Sequence, residues 1–221
     1  MTDYNAGMEL KRIALGRLQA NCYVLCCEET DQAIVIDPGA DEPALFEALE
    51  GLRVREILAT HAHWDHVSGA PALQERFEAP LQVHEAEMPC LDRWREQGLV
   101  DVHPDGLIED GQIIEVGSVA LRVWHTPGHS PGHVVFLEDD YRWLFTGDLL
   151  LKNYTGGANV PGGDPDGFVE SINRLRELEG DWTIYPGHFD ATTLDEERQN
   201  NPYVKFRIKE AKGEDLGAVR R

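Results

Sequence analysis

The sequence lacks a long apolar run and has few basic residues. No stretch approaches the roughly 20 apolar residues that a membrane-spanning helix needs, and the opening MTDYNAGMELKR lacks the basic-then-apolar order of a secretion signal. Only 20 Lys and Arg residues stand against 40 Asp and Glu residues, which gives a net charge of −20. This charge repels nucleic acid phosphates and anionic lipid surfaces. We therefore expect a cytoplasmic protein that binds neither a nucleic acid nor a membrane.

Cysteine is also scarce, and its spacing does not form a metal-binding motif. Three of the four cysteines, Cys22, Cys26 and Cys27, lie in the apolar segment NCYVLCCEE, which is typical of a strand. The fourth, Cys90, stands alone. We interpret all four as reduced structural residues.

Short strand-like and helix-like segments alternate along the 221 residues, and no repeat of fixed period interrupts them. One cluster of strands contains RIALGRL, CYVLCCE, AIVIDPG and VREILAT, and a second contains GQIIEV, SVALRVWHT, HVVFLED and YRWLFTGD. Helix-like segments such as DEPALFEALEGL and PDGFVESINRLREL follow the strands. The pattern predicts a single α/β domain over residues 1–221, with two sheets packed face to face and helices outside. Residues 204–221 are predicted to form a short C-terminal helix or tail.

The segment THAHWDH, residues 60–66, contains an unusual number of side chains with lone pairs. His61 and His63 are two residues apart at the end of an apolar strand, so an extended backbone points both imidazoles the same way. Asp65 and His66 follow in a turn that leads into a predicted helix. This spacing is typical of metal ligands.

Further donors occur where later strands end and Gly or Pro forces a loop. HTPGHSPGH contains His125, His129 and His133, FTGD contains Asp148, and YPGH contains His188. Such loops are where α/β proteins build their sites. Together with residues 60–66 they predict a metal site. Imidazole and carboxylate ligands without thiolate suit zinc, manganese or iron.

The order H-x-H-x-D-H, Pro-Gly-His, Thr-Gly-Asp and Gly-His resembles the metallo-β-lactamase-fold hydrolases, over about Arg12 to His188. The resemblance implies a four-layer αββα sandwich of the metallo-β-lactamase type. In the matching segment VIDPG, Asp37 is either a buried carboxylate behind the ligands or an ordinary turn residue.

The resemblance also implies two divalent metal ions, with zinc preferred and iron or manganese as alternatives. The implied ligands are His61, His63 and His129 for the first ion, Asp65, His66 and His188 for the second, and Asp148 for both. Asp65 is the implied catalytic residue, which orients a metal-bridging hydroxide for attack. His125 and His133 match no ligand position and are interpreted as neighbours of the site.

Within this fold, HTPGHSPGHVVF, LFTGDLLLK and VPGGD are most similar to short-form glyoxalase II (hydroxyacylglutathione hydrolase-like) proteins. The implied partner is a small-molecule acyl-thioester substrate. One departure is NYTGGANVPGGD, which lacks the arginine that the resemblance leads us to expect. Lys152, Asn153, Tyr154 and Phe189 are candidate substrate contacts, although each also fits an ordinary loop.

Several other functions are compatible with the same motifs. A persulfide dioxygenase would bind one iron through His61, His129 and Asp148. A lactone, β-lactam or other ester hydrolase would use the same hydrolytic centre, and a non-catalytic member of the fold would only bind metal. The acidic charge disfavours a nuclease. We predict a binuclear metal-dependent hydrolase of acyl-thioesters.

Overall fold

The computed structural model describes residues 7–205 and contains two six-stranded sheets with helices on their outer faces. The strands are β1 (Met8–Leu15), β2 (Ala20–Cys27), β3 (Gln32–Ile36), β4 (Arg53–Leu58), β5 (Leu81–His84), β6 (Gly106–Ile108), β7 (Ile113–Val116), β8 (Val119–His125), β9 (Val134–Glu138), β10 (Trp143–Gly147), β11 (Thr183–Pro186) and β12 (Thr192–Thr193). The helices are α1 (Pro43–Ala48), α2 (Trp64–Val67), α3 (Ala70–Phe77), α4 (Met88–Glu96), α5 (Pro165–Arg176) and α6 (Leu194–Asn200).

The strands divide between the sheets in chain order, as β1-β2-β3-β4-β5-β6 and β12-β11-β10-β9-β8-β7. In the first sheet β1 to β3 are antiparallel and β3 to β6 are parallel. In the second sheet β7 to β10 are antiparallel and β10 is parallel to β11. A two-residue turn at Gly117-Ser118 joins β7 to β8, and Val116 pairs with Val119 across it.

Three buried clusters separate the four layers. The middle cluster lies between the sheets and includes Ile34 and Leu58 from one sheet and Phe136 and Phe145 from the other. A second cluster joins the first sheet to α1, α3 and α4, and a third joins the second sheet to α5 and α6. The predicted αββα sandwich is confirmed, since each sheet buries one face against its partner and the other against helices.

Two stretches differ from the sequence-based expectation. The single helix predicted after the turn of Asp65 and His66 is instead divided into α2 and α3, because Pro71 at the start of α3 cannot continue a helical hydrogen-bond ladder. Gly69 at the break packs against the loop after β3, where an added Cβ would lie 2.6 Å from the Ala40 carbonyl oxygen. Strands β5 and β6 and helix α4 lie in a stretch for which the pattern gave no element.

The described residues include no helix long and apolar enough to cross a bilayer. The four cysteines are free thiols. Of the predicted C-terminal helix or tail over 204–221, residues 206–221 lie outside the described residues.

Candidate metal centre

Four loops meet at one end of the two sheets. They follow β4, β8, β10 and β11, so they contain the donors that the sequence placed at strand ends. Because β10 and β11 are parallel, their carboxyl ends lie at the same edge. A hydrogen bond from Val134 N–H to the Thr60 carbonyl, 2.7 Å long, joins the two sheets beside these loops.

Three imidazoles converge to form a first group of donors, His61, His63 and His129. His63 Nδ1 lies 3.1 Å from His61 Nε2 and 3.1 Å from His129 Nε2. A tetrahedral zinc ion with Zn–N bonds of about 2.0–2.1 Å would separate its nitrogen ligands by roughly 3.3–3.4 Å. The three nitrogens are therefore placed as ligands of one small cation.

The outer nitrogens of two of these rings are occupied. His129 Nδ1 donates to the Gly157 carbonyl at 2.8 Å, and His61 Nδ1 lies 3.0 Å from Thr60 Oγ1. Such partners orient ligating imidazoles. Burial lowers the pKa of all three histidines, so the rings are held neutral, which is the form that binds a metal.

A second group of donors, Asp65, His66 and His188, lies beside the first. His188 Nε2 is 3.4 Å from Asp65 Oδ2, and His66 Nε2 is 4.0 Å from the same oxygen. Burial alone would lower the pKa of His66, but neighbouring carboxylates, Asp148 and Asp37 foremost, raise it to about 9. This surplus of negative charge favours a cation here.

Asp148 faces both groups. Its Oδ2 is 3.6 Å from His129 Nε2, and its Oδ1 is 3.7 Å from both His66 Nε2 and His188 Nε2. Burial opposes ionisation of this carboxyl, but the surrounding histidines lower its pKa. An ionised carboxylate with one oxygen toward each group is suited to bridge two cations.

Asp37 acts behind the donors. Its Oδ1 accepts from Thr60 N–H at 2.7 Å, and its Oδ2 accepts from Thr60 Oγ1 at 2.7 Å and faces His66 Nδ1 at 3.1 Å. A φ of 53°, uncommon for a residue other than glycine, holds Asp37 in this position. It is thus a buried carboxylate that orients His66, and its own oxygens are used by these bonds.

Buried polar atoms without partners indicate, independently of the sequence motifs, that the donor set fits divalent cations. His66 Nε2, His188 Nε2 and Asp148 Oδ1 are buried and have no hydrogen-bond partner. Such atoms are costly to bury unless something else binds them. At Gly187 an added Cβ would lie 2.5 Å from Asp148 Oδ1, so only glycine allows His188 to approach so closely. The gathered imidazoles and carboxylates are ligands that zinc and iron accept.

The two other histidines of HTPGHSPGH lie outside the donor groups. His133 stacks on His61 with ring centroids 5.2 Å apart, and its Nδ1 lies 3.0 Å from Thr126 Oγ1. His125 stacks on His84 at 4.0 Å, and its Nε2 donates to the Pro131 carbonyl at 3.0 Å. His133 therefore touches a donor, whereas the contacts of His125 are with His84 and Pro131.

One buried acid that the sequence pattern did not single out joins two of the donor loops. The Oε2 of Glu87 accepts from Ala62 N–H at 2.7 Å, between His61 and His63. Its Oε1 accepts from Gly132 N–H at 2.7 Å and from Ser130 Oγ at 2.5 Å, next to His129. Trp94 Nε1 also donates to the Ala62 carbonyl, at 2.8 Å. No local pattern in HEAEMPC could have revealed this, because the partners are distant in sequence.

The loop of His188 is held by the opposite sheet. Asn21 Nδ2 donates to the Pro186 and Phe189 carbonyls, both at 2.8 Å, and Tyr23 Oη donates to the Pro186 carbonyl at 2.7 Å. These bonds attach the end of β11 to β2, so the position of His188 depends on contact between the sheets.

A cleft of about 460 Å³ opens above the donors. Its lining comprises Leu18, His63, Trp64, Asp65, Trp94, His129, Asp148, Gly156, Asn159, Val160, Pro161, His188 and Phe189. Of the four predicted substrate contacts, Phe189 lines the cleft. Lys152, Asn153 and Tyr154 are not among the described lining residues, and Lys152 and Asn153 are exposed. Their role in substrate binding stays a prediction.

Comparison with known proteins agrees with this geometry. Residues 15–188 match the family model of the metallo-beta-lactamase superfamily. The hydroxyacylglutathione hydrolase GloC of Haemophilus influenzae is 31% identical over 209 residues, which cover 89% of this chain and 98% of that protein. The crystal structure of BLEG-1 B3 metallo-beta-lactamase is similar with a TM-score of 0.82 at 33% identity, covering 90% of this chain and 100% of the other. TTHA1623, solved in a di-iron-bound form, gives 0.76 at 35% identity, covering 87% and 99%.

Proposed function

The chain belongs to the metallo-beta-lactamase superfamily, and we propose that it hydrolyses acyl-thioesters with the aid of two divalent cations. The observation that carries the proposal is the arrangement of two donor groups that share Asp148 at the base of one cleft. The similarity to a hydroxyacylglutathione hydrolase supports the choice of a thioester.

Seven residues would hold the cations. His61, His63 and His129 would bind the first, Asp65, His66 and His188 the second, and Asp148 would contact both. Bound there, divalent cations lower the pKa of water and polarise a carbonyl group. Zinc is the expected ion, and the di-iron form of TTHA1623 supports iron as the alternative.

The chain's own residues would orient the reacting groups within the cleft. Asp65 lies in the lining of the cleft, where its carboxylate would orient the attacking water toward the thioester carbon. Asp37 and Glu87 would keep the imidazoles in register through their backbone and ring contacts. A thiolate leaves readily, so the reaction needs no strong general acid opposite the water.

The alternatives make different demands on the same residues. A dioxygenase would bind one iron through His61, His129 and Asp148. The converging side chains of Asp65, His66 and His188 would then bind no metal ion. Hydrolysis of a β-lactam is the second candidate, and the similarity to BLEG-1 B3 metallo-beta-lactamase is the observation that favours it.

The proposal is tested by assaying the purified protein on a thioester, a lactone, a β-lactam and glutathione persulfide, with elemental analysis of the same preparation. We expect thioester turnover and two bound metal ions per chain. Turnover of only the β-lactam would favour the second candidate, and oxygen uptake with the persulfide would reject hydrolysis as the main activity.

A further inference from the structure

The cleft above the metal centre has mostly apolar walls. Apart from the donors at its base, the lining side chains are Leu18, Trp64, Trp94, Val160, Pro161 and Phe189, together with Asn159 and the glycine at 156. Two indoles and a phenyl ring therefore form much of the surface that a substrate would contact. Such surfaces bind apolar groups, because binding removes the apolar area of both partners from water.

Within residues 7–205, no lysine or arginine lines this cleft. Arg12 touches the lining through the Phe189 carbonyl, to which it donates at 3.0 Å, but its guanidinium also pairs with Asp190 at 3.4 Å. The protein as a whole has a charge of −20. Among the described lining residues, a carboxylate on the substrate would thus have no lysine or arginine to pair with, and it would approach a protein of its own sign.

We infer that the substrate is a thioester whose groups on both sides of the reacting carbonyl are uncharged and largely apolar. The inference rests on the proposed function and names its substrate class. In the reaction the C–S bond breaks, the oxygen of water bonds to the acyl carbon, and the protons of water pass to the released thiol and carboxylate. Glutathione, which has more carboxylate than ammonium groups, is not the preferred thiol.

Four thioesters test this inference in a square design, with acetyl or phenylacetyl as the acyl group and glutathione or N-acetylcysteamine as the thiol. The metal-loaded full chain is assayed for kcat/KM with each. We expect the phenylacetyl ester to exceed the acetyl ester by about tenfold or more with either thiol, because the ring can be buried against the aromatic walls. We expect N-acetylcysteamine to equal or exceed glutathione.

A charge introduced into the wall sharpens the test. Val160 is half-buried in the lining and is not one of the metal donors. Val160→Lys is expected to raise the ratio of glutathione to N-acetylcysteamine turnover by about five- to tenfold. Val160→Met, which keeps the wall neutral at a similar length, is the matched control and should leave the ratio unchanged. An equal ratio of glutathione to N-acetylcysteamine turnover in both variants would contradict the role assigned to the lack of a basic side chain in the described lining.

The outcomes separate this inference from the function on which it rests. Preference of the unmodified protein for glutathione esters by about tenfold, or turnover insensitive to the acyl group, overturns the inference and leaves thioester hydrolysis standing. Failure to hydrolyse any of the four esters, in a preparation that contains both metals, overturns the proposed function itself.

Discussion

The two donor groups of the metal centre are built in different ways. In the first, the nitrogens of His61 and His129 each lie 3.1 Å from His63, and Glu87 joins the two loops that contain them. In the second, the donor atoms are 3.4–4.0 Å apart, and the His188 side chain is 14% exposed. The first group is therefore assembled by buried bonds around it, whereas the second needs the opposite sheet to hold His188.

The charge around the two groups differs as well. Burial holds the imidazoles of the first group neutral, while carboxylates raise the pKa of His66 in the second. A cation in the first group would be held by three neutral imidazoles, and a cation in the second would also neutralise a surplus of carboxylate. We expect the first group to bind its ion more tightly because less ordering is required there.

The largest effect is expected from removing a donor of each group. His63→Ala should lower thioester turnover by more than about 10²-fold, since even the loss of an outer partner of a metal ligand costs about 10–100-fold. His188→Ala should cost less, within about 10–100-fold, because the first ion and Asp148 remain. Turnover measured at saturating zinc, with thermal unfolding to show that both variants fold, decides the point. Equal turnover in His63→Ala and the unmodified protein would reject the assignment.

An intermediate effect is expected at Glu87, which touches no donor directly. Glu87→Gln places an amide N–H against a backbone donor, so one of the two loops loses its bond. We expect the first ion to bind about tenfold more weakly or worse, with the second ion retained. Isothermal titration of the metal-free protein with zinc measures both affinities.

Glu197→Gln is the matched control for that variant. Glu197 is another buried acid, which accepts from Thr192 Oγ1 at 2.8 Å and Asn153 N–H at 2.9 Å, and these partners lie outside the two loops that carry His61, His63 and His129. Both variants should lose about 1–3 kcal/mol of stability from a buried unsatisfied group. If both also weaken zinc binding equally, Glu87 has no special part in the centre.

The smallest effect is expected from removing the hydrogen bonds that position the loop of His188. Asn21→Ala removes two bonds to that loop, and we expect the second ion to bind about tenfold more weakly while the first is unaffected. Tyr23→Phe removes a single bond to the same loop and should have a smaller effect. The same titration measures both, and a loss confined to the first ion in Asn21→Ala would contradict the comparison.

The sequence was informative where the chemistry is local. His61 and His63 share one strand end, and Asp148 follows an apolar strand directly, so their convergence could be predicted from strand ends and spacing. Glu87 could not be found in this way. Its meaning depends on Ser130, 43 residues further along the chain, and on a backbone N–H that any residue at position 62 would supply.

The segment over β5, α4 and β6 was missed for a similar reason. β5 and β6 have four and three residues, too few for an alternating pattern to be distinguished. They form because β4 offers a parallel edge, with Ile57 paired to Leu81. Trp94 lies in α4, so the part of the cleft wall that it forms depends on tertiary contacts. The apolar character of that part of the wall depends on the same contacts.

The most direct test of the account is anomalous diffraction from crystals of the protein loaded with zinc. The account predicts two peaks, one among His61, His63 and His129 and one among Asp65, His66 and His188, with Asp148 beside both. A single peak in the second group, or no peak at either place at saturating zinc, would contradict it.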